Sequence, residues 1–129
     1  MAGRIVLVDV STVREGRLED VKARMAELAE FVARTGTRAI AYELYLSADE
    51  RQMTVIQNHP DSESVETQMT AAAPVFATFA DLLTMSAMDI YGEPSDSLLD
   101  VLRGKADLLG LGRPPTLHKL EAGFVRRDR

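Results

Sequence analysis

The sequence predicts an α+β fold: a ferredoxin-like antiparallel sheet with its helices on one face, extended by a C-terminal helix and strand. Three observations predict it. The apolar pattern switches period along the chain in the order strand, helix, strand, strand, helix, strand, which is the split βαβ plan. The 129 residues are the size of one ordinary domain, expected as a single unit over 1–129 with its core at about 4–92 and an extension over 93–129. The strand patterns are apolar on both faces, so the face that the two early helices leave open needs a second cover.

The first strand pattern runs from Arg4 to Val13, through Ile5-Val6-Leu7-Val8-Asp9-Val10. From Gly16 to Thr35 the period lengthens: Leu18, Val21, Met25, Leu28 and Val32 recur at the three- and four-residue spacing of an amphipathic helix, with Gly36 as its stop. Thr37 to Leu46 then alternates, placing Ile40, Tyr42, Leu44 and Leu46 on one face and Ala39, Ala41, Glu43 and Tyr45 on the other. After the polar turn Ser47-Ala48-Asp49-Glu50, Arg51 to Asn58 reads as the partner strand of a hairpin. Met53, Val55 and Gln57 share one of its faces, and Thr54, Ile56 and Asn58 the other.

His59-Pro60-Asp61-Ser62 breaks that strand, and Asp61 or Ser62 can cap a helix that buries Val65, Met69 and Ala72. Pro74 lacks a backbone donor and crowds the preceding turn, so a kink or break is expected there, with helix resuming from Val75 to about Leu83. Met85 to Tyr91 is the fourth strand, closed by Gly92-Glu93-Pro94. Ser95 or Ser97 starts a further helix carrying Leu98, Leu99, Val101, Leu102, Leu108 and Leu109, ended by Gly110 and Gly112. Pro114-Pro115 is a rigid connector to a last strand from Leu117 to Val125, with His118, Leu120, Ala122 and Phe124 on one face.

A net charge of −5 opposes a phosphate-backbone binder, so no nucleic-acid partner is expected. The basic cluster Arg126, Arg127 and Arg129 reads as a solvated tail. With no cysteine, disulfides, thiolate metal sites and a cysteine nucleophile are absent together. The first residues enter a strand pattern directly and no stretch is long and apolar enough to span a bilayer, so the expectation is a cytoplasmic protein without a membrane partner.

No Walker loop, GxGxxG, HExxH, GxSxG or EF-hand is present. Gly110-Leu111-Gly112 reads as a helix stop, not a phosphate cradle. The titratable group of greatest interest is His59, placed where a strand meets a helix and suited to proton transfer near neutrality, with packing or capping as its structural alternative. Asn58 and Gln57 can hydrogen-bond a carbonyl or developing oxyanion. Tyr42, Tyr45 and Tyr91 can line a pocket or pack the sheet. His118 reads as a strand residue near the surface. Asp9, Glu43 and Asp89, inside strand patterns, are expected to be paired, with Arg38 and Arg51 as possible partners. Two distant histidines and scattered acids do not make a metal site, so no metal is expected.

The order of elements, the Asn58-His59-Pro60-Asp61-Ser62 junction and the helix ending Pro74-Val75-Phe76 together resemble the antibiotic-biosynthesis-monooxygenase-like family of dimeric α+β barrels, over roughly Arg4 to Gly92. The resemblance implies a homodimer formed by packing two sheets face to face. Some members oxidise polycyclic aromatic substrates with oxygen and no metal or flavin, and others degrade haem. Active members commonly carry a tryptophan near the end of the third strand and a histidine in the following helix. This chain has no tryptophan, and Gln68 or Met69 stands at the helical position. Gln68 therefore joins the substrate-binding candidates, and no haem, flavin or other cofactor is expected. Two readings stay open: a cofactor-independent monooxygenase-like enzyme with His59 and Asn58 as catalytic residues, or a non-catalytic small-ligand-binding or assembly module of the same fold.

Overall fold

The structure, a computed structural model, describes residues 3–35 and 38–126. The expected stop at Gly36, the strand start at Thr37, and Arg127 and Arg129 of the basic tail lie outside the described residues. The elements follow the order β1 (Ile5–Val13), α1 (Leu18–Arg34), β2 (Ala41–Leu46), β3 (Gln52–His59), α2 (Ser62–Ala77), β4 (Leu83–Tyr91), α3 (Asp96–Leu108) and β5 (Thr116–His118). They form one mixed sheet in the order β2-β3-β1-β4-β5, antiparallel except for the parallel β4–β5 pair. The first four strands and two helices are the ferredoxin-like arrangement expected from the sequence.

Alternation decides which residues face the helices. In β1, Ile5, Leu7, Asp9 and Ser11 are buried while Val6, Val8 and Val10 are only half-buried, and each opposite-strand partner follows suit: Leu7 lies across from Gln57 and Ile90, Asp9 from Val55 and Met88. The buried set meets Val21, Leu28 and Val32 of α1, Val65, Met69, Ala72 and Phe76 of α2, and Leu98, Leu102 and Ala106 of α3 in one core. All three helices thus cover the same face. Full burial of a side chain such as Leu98 or Leu102 contributes about 1.5–3 kcal/mol, so α3 is an integral part of this core and not an appendage on it.

Local chemistry sets the helix ends. The Asp61 carboxylate accepts from the Ser64 backbone N–H at 2.9 Å and caps α2, and the Ser95 hydroxyl accepts from the Leu98 N–H at 3.1 Å to cap α3. Of the kink or break expected at Pro74, the break does not occur: α2 stays helical across Pro74, which is exposed, to Ala77. The helix then ends in turns at Thr78–Leu82, so Leu83 belongs to β4 and not to the helix.

The expected long strand over Leu117–Val125 shrinks to Thr116–His118. A parallel β5 runs alongside β4 only until β4 turns away at Gly92, whose N–H donates to the His118 carbonyl at 3.0 Å in the last bond of the ladder. Beyond it the chain has no strand to pair with, and Leu120 and Phe124 are 79% and 78% exposed. Gly92 itself has φ +123, and a β-carbon there would lie 2.6 Å from the Arg4 carbonyl oxygen. Gly92→Ala is accordingly expected to lower stability by about 2 kcal/mol, read as a shifted urea midpoint; an unchanged midpoint would contradict this account of the corner.

Candidate functional site

Two polar clusters sit on the helix-covered face, inside an otherwise apolar interior. The first is built by β1 and α3. Asp9 and Ser11 occupy the inward positions that Ile5 and Leu7 begin. Lys105 continues the row Leu98, Leu102, Leu109 along the buried stripe of α3. The Lys105 Nζ donates to Asp9 Oδ2 at 3.1 Å, with the two side chains 6% and 4% exposed, and it also lies 4.3 Å above the Phe76 ring. Beside this ion pair is a cavity of about 10 Å³ lined by Asp9, Ser11, Lys105, Met53, Phe76 and Phe79 among others, large enough for about one water molecule. The Ser11 hydroxyl, fully buried at its edge, finds no hydrogen-bond partner among the described residues.

The second cluster joins the end of β3 to α2. The His59 ring is fully buried and bonded at both nitrogens. Its Nε2–H donates to Gln57 Oε1 at 2.9 Å, and its Nδ1 accepts from the Ser64 hydroxyl at 2.8 Å. Gln68 Nε2 donates to the same Gln57 oxygen at 2.8 Å, which leaves Gln57 Nε2 and Gln68 Oε1 buried without partners among the described residues. Burial pushes the His59 pKa down to about 4; nearby Asp61 opposes the shift and Arg38 adds to it. The ring is therefore neutral at physiological pH. The Tyr42 hydroxyl is likewise buried without a partner among the described residues, and burial, reinforced by the charge of Asp9, pushes its ionisation well above the ordinary phenol range.

The residues predicted from sequence divide between the two sides of the sheet. Gln57, His59 and Gln68 meet directly, and Tyr42, opposite Gln57, shares their face. Asn58 does not join them, since it falls between Gln57 and His59 in a strand and so points to the open face, opposite Val6 and Ala41. Tyr45 and Tyr91 are on that open side as well. Tyr91 stacks on His118 with ring centroids 4.4 Å apart, and His118 Nε2 lies 2.8 Å from Asp89 Oδ1. His59 sits in the closed interior and not at a pocket mouth, and none of the predicted site residues lines the cavity at Asp9 and Lys105.

Asp9 is paired, as expected of an acid in that strand, but by Lys105 and not by an arginine of the hairpin. Arg38 instead grips Asp61 through two bonds of 3.1 and 2.9 Å. Lys105 was not singled out from the sequence, although the signal was there: one lysine on the apolar register of the last helix, with no alternative place to put its charge. Among the described residues no group of three or more His, Asp or Glu side chains could hold a metal ion.

The fold and these interior clusters define a class: a ferredoxin-like α+β protein with three helices on one face and polar groups enclosed between helices and sheet. Solved structures with a similar fold include MupZ from Pseudomonas fluorescens, at 19% identity with a TM-score of 0.74 over 98% of this chain and 91% of that one. SnoaB, a cofactor-independent oxygenase from Streptomyces nogalater, matches at 18% identity and a TM-score of 0.60 over 73% of this chain and 96% of its own. Protein SO0527 from Shewanella oneidensis matches at 24% identity and 0.62 over 72% and 93%. No family model and no curated protein matches the chain. The chain has the fold of the antibiotic-biosynthesis-monooxygenase-like proteins, and the resemblance read from the sequence holds at that level. The match to MupZ spans nearly the whole chain, whereas the other two cover about the length of the first six elements.

Proposed function

We propose that this chain is a cofactor-independent, oxygenase-like catalyst acting on a small apolar or aromatic molecule enclosed between sheet and helices. The observation that carries the proposal is the charged pair Asp9–Lys105 with the unpartnered Ser11 hydroxyl, set in an apolar cavity within the fold that SnoaB also adopts. Burying a charge or a hydroxyl is costly unless it is paired or hydrogen-bonded; Asp9 and Lys105 satisfy each other, and among the described residues the Ser11 hydroxyl is left free for a ligand. The test is oxygen uptake with a tricyclic anthrone in the presence of a chelator and no added flavin. One oxygen atom would enter the central methylene carbon as a carbonyl, and the other would leave as water. No uptake above the uncatalysed rate would overturn the oxygenase reading. The alternative is a non-catalytic ligand-binding or assembly module of the same fold; the one-water size of the cavity speaks for its assembly form.

The functional unit is proposed to be a homodimer. Because α3 packs beside α2 on the same face as α1, and β5 extends the sheet edge, the face bearing Val6, Val8, Val10 and Ile56 has no helix over it among the described residues. The Asn58 side-chain oxygen on this face is buried without a partner among those residues, an acceptor that a second copy can satisfy. Light scattering at micromolar concentration is expected to give twice the 14.2 kDa chain mass; a strictly monomeric mass would sink the sheet-to-sheet dimer.

A further inference from the structure

We propose that Asp9 and Lys105 form a proton-transfer site for a hydroxyl group on an apolar ring, a phenol-class ligand, with Asp9 as the base and Lys105 as the cation that holds the resulting oxyanion. The inference rests on the reading of the chain as a small-molecule catalyst and adds the chemistry that would start it. In an enclosed apolar site, moving a proton from a neutral acid to a neutral base creates two new charges and is strongly opposed. Here the negative charge exists beforehand, on Asp9, and only changes place. The ligand O–H bond breaks, an O–H bond forms on Asp9, and the electron pair stays on the ligand oxygen. No electron is gained or lost. Lys105 faces one negative charge before the transfer and one after it, so the buried charge balance is unaltered.

The surroundings fit such a ligand. Ser11 offers an unpartnered hydroxyl beside the pair, able to donate to the oxyanion. Phe76 lies under the ammonium, and Phe79, Leu28, Val55, Leu83 and Leu109 make the remaining wall apolar. The cavity is at present of about one-water size, but Ser11 is flanked across the sheet by Met53 and Met85, whose unbranched thioether side chains can repack around a ring. The charged and titratable groups that face Asp9 are Lys105 from α3 and, at longer range, the Tyr42 phenol from β2, which burial keeps neutral. His59 lies outside the cavity lining.

Lys105 comes from α3, beyond the part of the chain expected from the sequence to carry the core. The matches to SnoaB and SO0527 cover 73% and 72% of this chain, and the match to MupZ covers 98%.

The probe is 4-nitrophenol, whose anion is yellow, added to the intact protein at a pH below that at which the free probe ionises. Wild type is expected to bind it and develop the phenolate band. The double variant Asp9→Leu with Lys105→Met, which replaces the pair by apolar side chains and keeps the fold, is expected to give no band, with circular dichroism confirming the fold. Absence of binding in wild type, binding of the probe in its neutral form alone, or an equal band in the double variant would each overturn the site. Oxygen uptake separates this inference from the oxygenase reading. A phenolate band without uptake keeps the proton-transfer site and removes the oxygenase, while uptake that persists in the double variant keeps the oxygenase and removes the site.

Discussion

Lys105→Met alone is expected to lower stability by about 3–5 kcal/mol, because it leaves the Asp9 carboxylate buried without its counter-charge. The substitution keeps the length and apolar stem of the side chain, so little packing is lost and the effect isolates the charge. For a domain of this size the melting temperature should fall by roughly 10 °C or more. Asp9→Leu alone should be damaging for the mirror-image reason, stranding the ammonium over Phe76. Combining Asp9→Leu with Lys105→Met should restore most of the loss, since exchanging a buried ion pair for packed apolar groups is often neutral or stabilising. Urea denaturation of the four proteins gives the coupling directly. A loss of under about 1 kcal/mol in both single variants would mean that the pair behaves as a solvated surface contact, contrary to its burial.

The second large effect concerns His59 and acid. Its folded pKa of about 4 lies below the ordinary 6.5, so between those values the unfolded chain binds a proton that the folded chain does not, and stability falls with falling pH. The contribution is fully present above about pH 6.5 and is lost progressively toward pH 4. At roughly 1.4 kcal/mol per pKa unit it amounts to as much as about 3 kcal/mol. His59→Ala should flatten this part of the stability profile. It should also lower stability near neutrality by about 2–4 kcal/mol, since it opens a cavity and frees the Gln57 oxygen and the Ser64 hydroxyl from their ring partners. A variant that kept its melting temperature and lost only ligand-linked proton uptake would return His59 to the catalytic role read from the sequence.

Much of the fold was legible in the sequence because it is written in local periodicity. The switch between two-residue and 3.6-residue spacing marks β1 to β4 and all three helices, and Asp61 and Ser95 announce the caps that the structure shows. The errors fell where a partner decides the outcome. At Pro74 the sequence led to a kink or break, and the chain stays helical across it to Ala77, because the tertiary packing of Val65, Met69, Ala72 and Phe76 on the sheet holds α2 together. Leu117 to Val125 alternates like a strand, but alternation cannot reveal that β4 has ended and that no neighbour remains to receive the hydrogen bonds.

The candidate site divides in the same way. His59, Gln57 and Gln68 were found individually from the sequence, and the structure joins them by hydrogen bonds between β3 and α2. Asn58 was placed with His59 because the strand was read as ending at Asn58; β3 runs on to His59, so the two adjacent residues point to opposite faces. Lys105 stood in plain view on an apolar helical stripe, while its partner was 96 residues away in β1. The sequence by itself determined the order of β1 to β4 and of the three helices, and offered Asp61 and Ser95 among the alternatives for the caps, since these depend on neighbours a few residues apart. Only the tertiary structure decided that α3 joins the helices already on the sheet, that Lys105 reaches Asp9, and that the other face carries no helix among the described residues, because a contact across 96 residues is selected by packing and charge compensation in three dimensions and leaves no periodic trace in the chain.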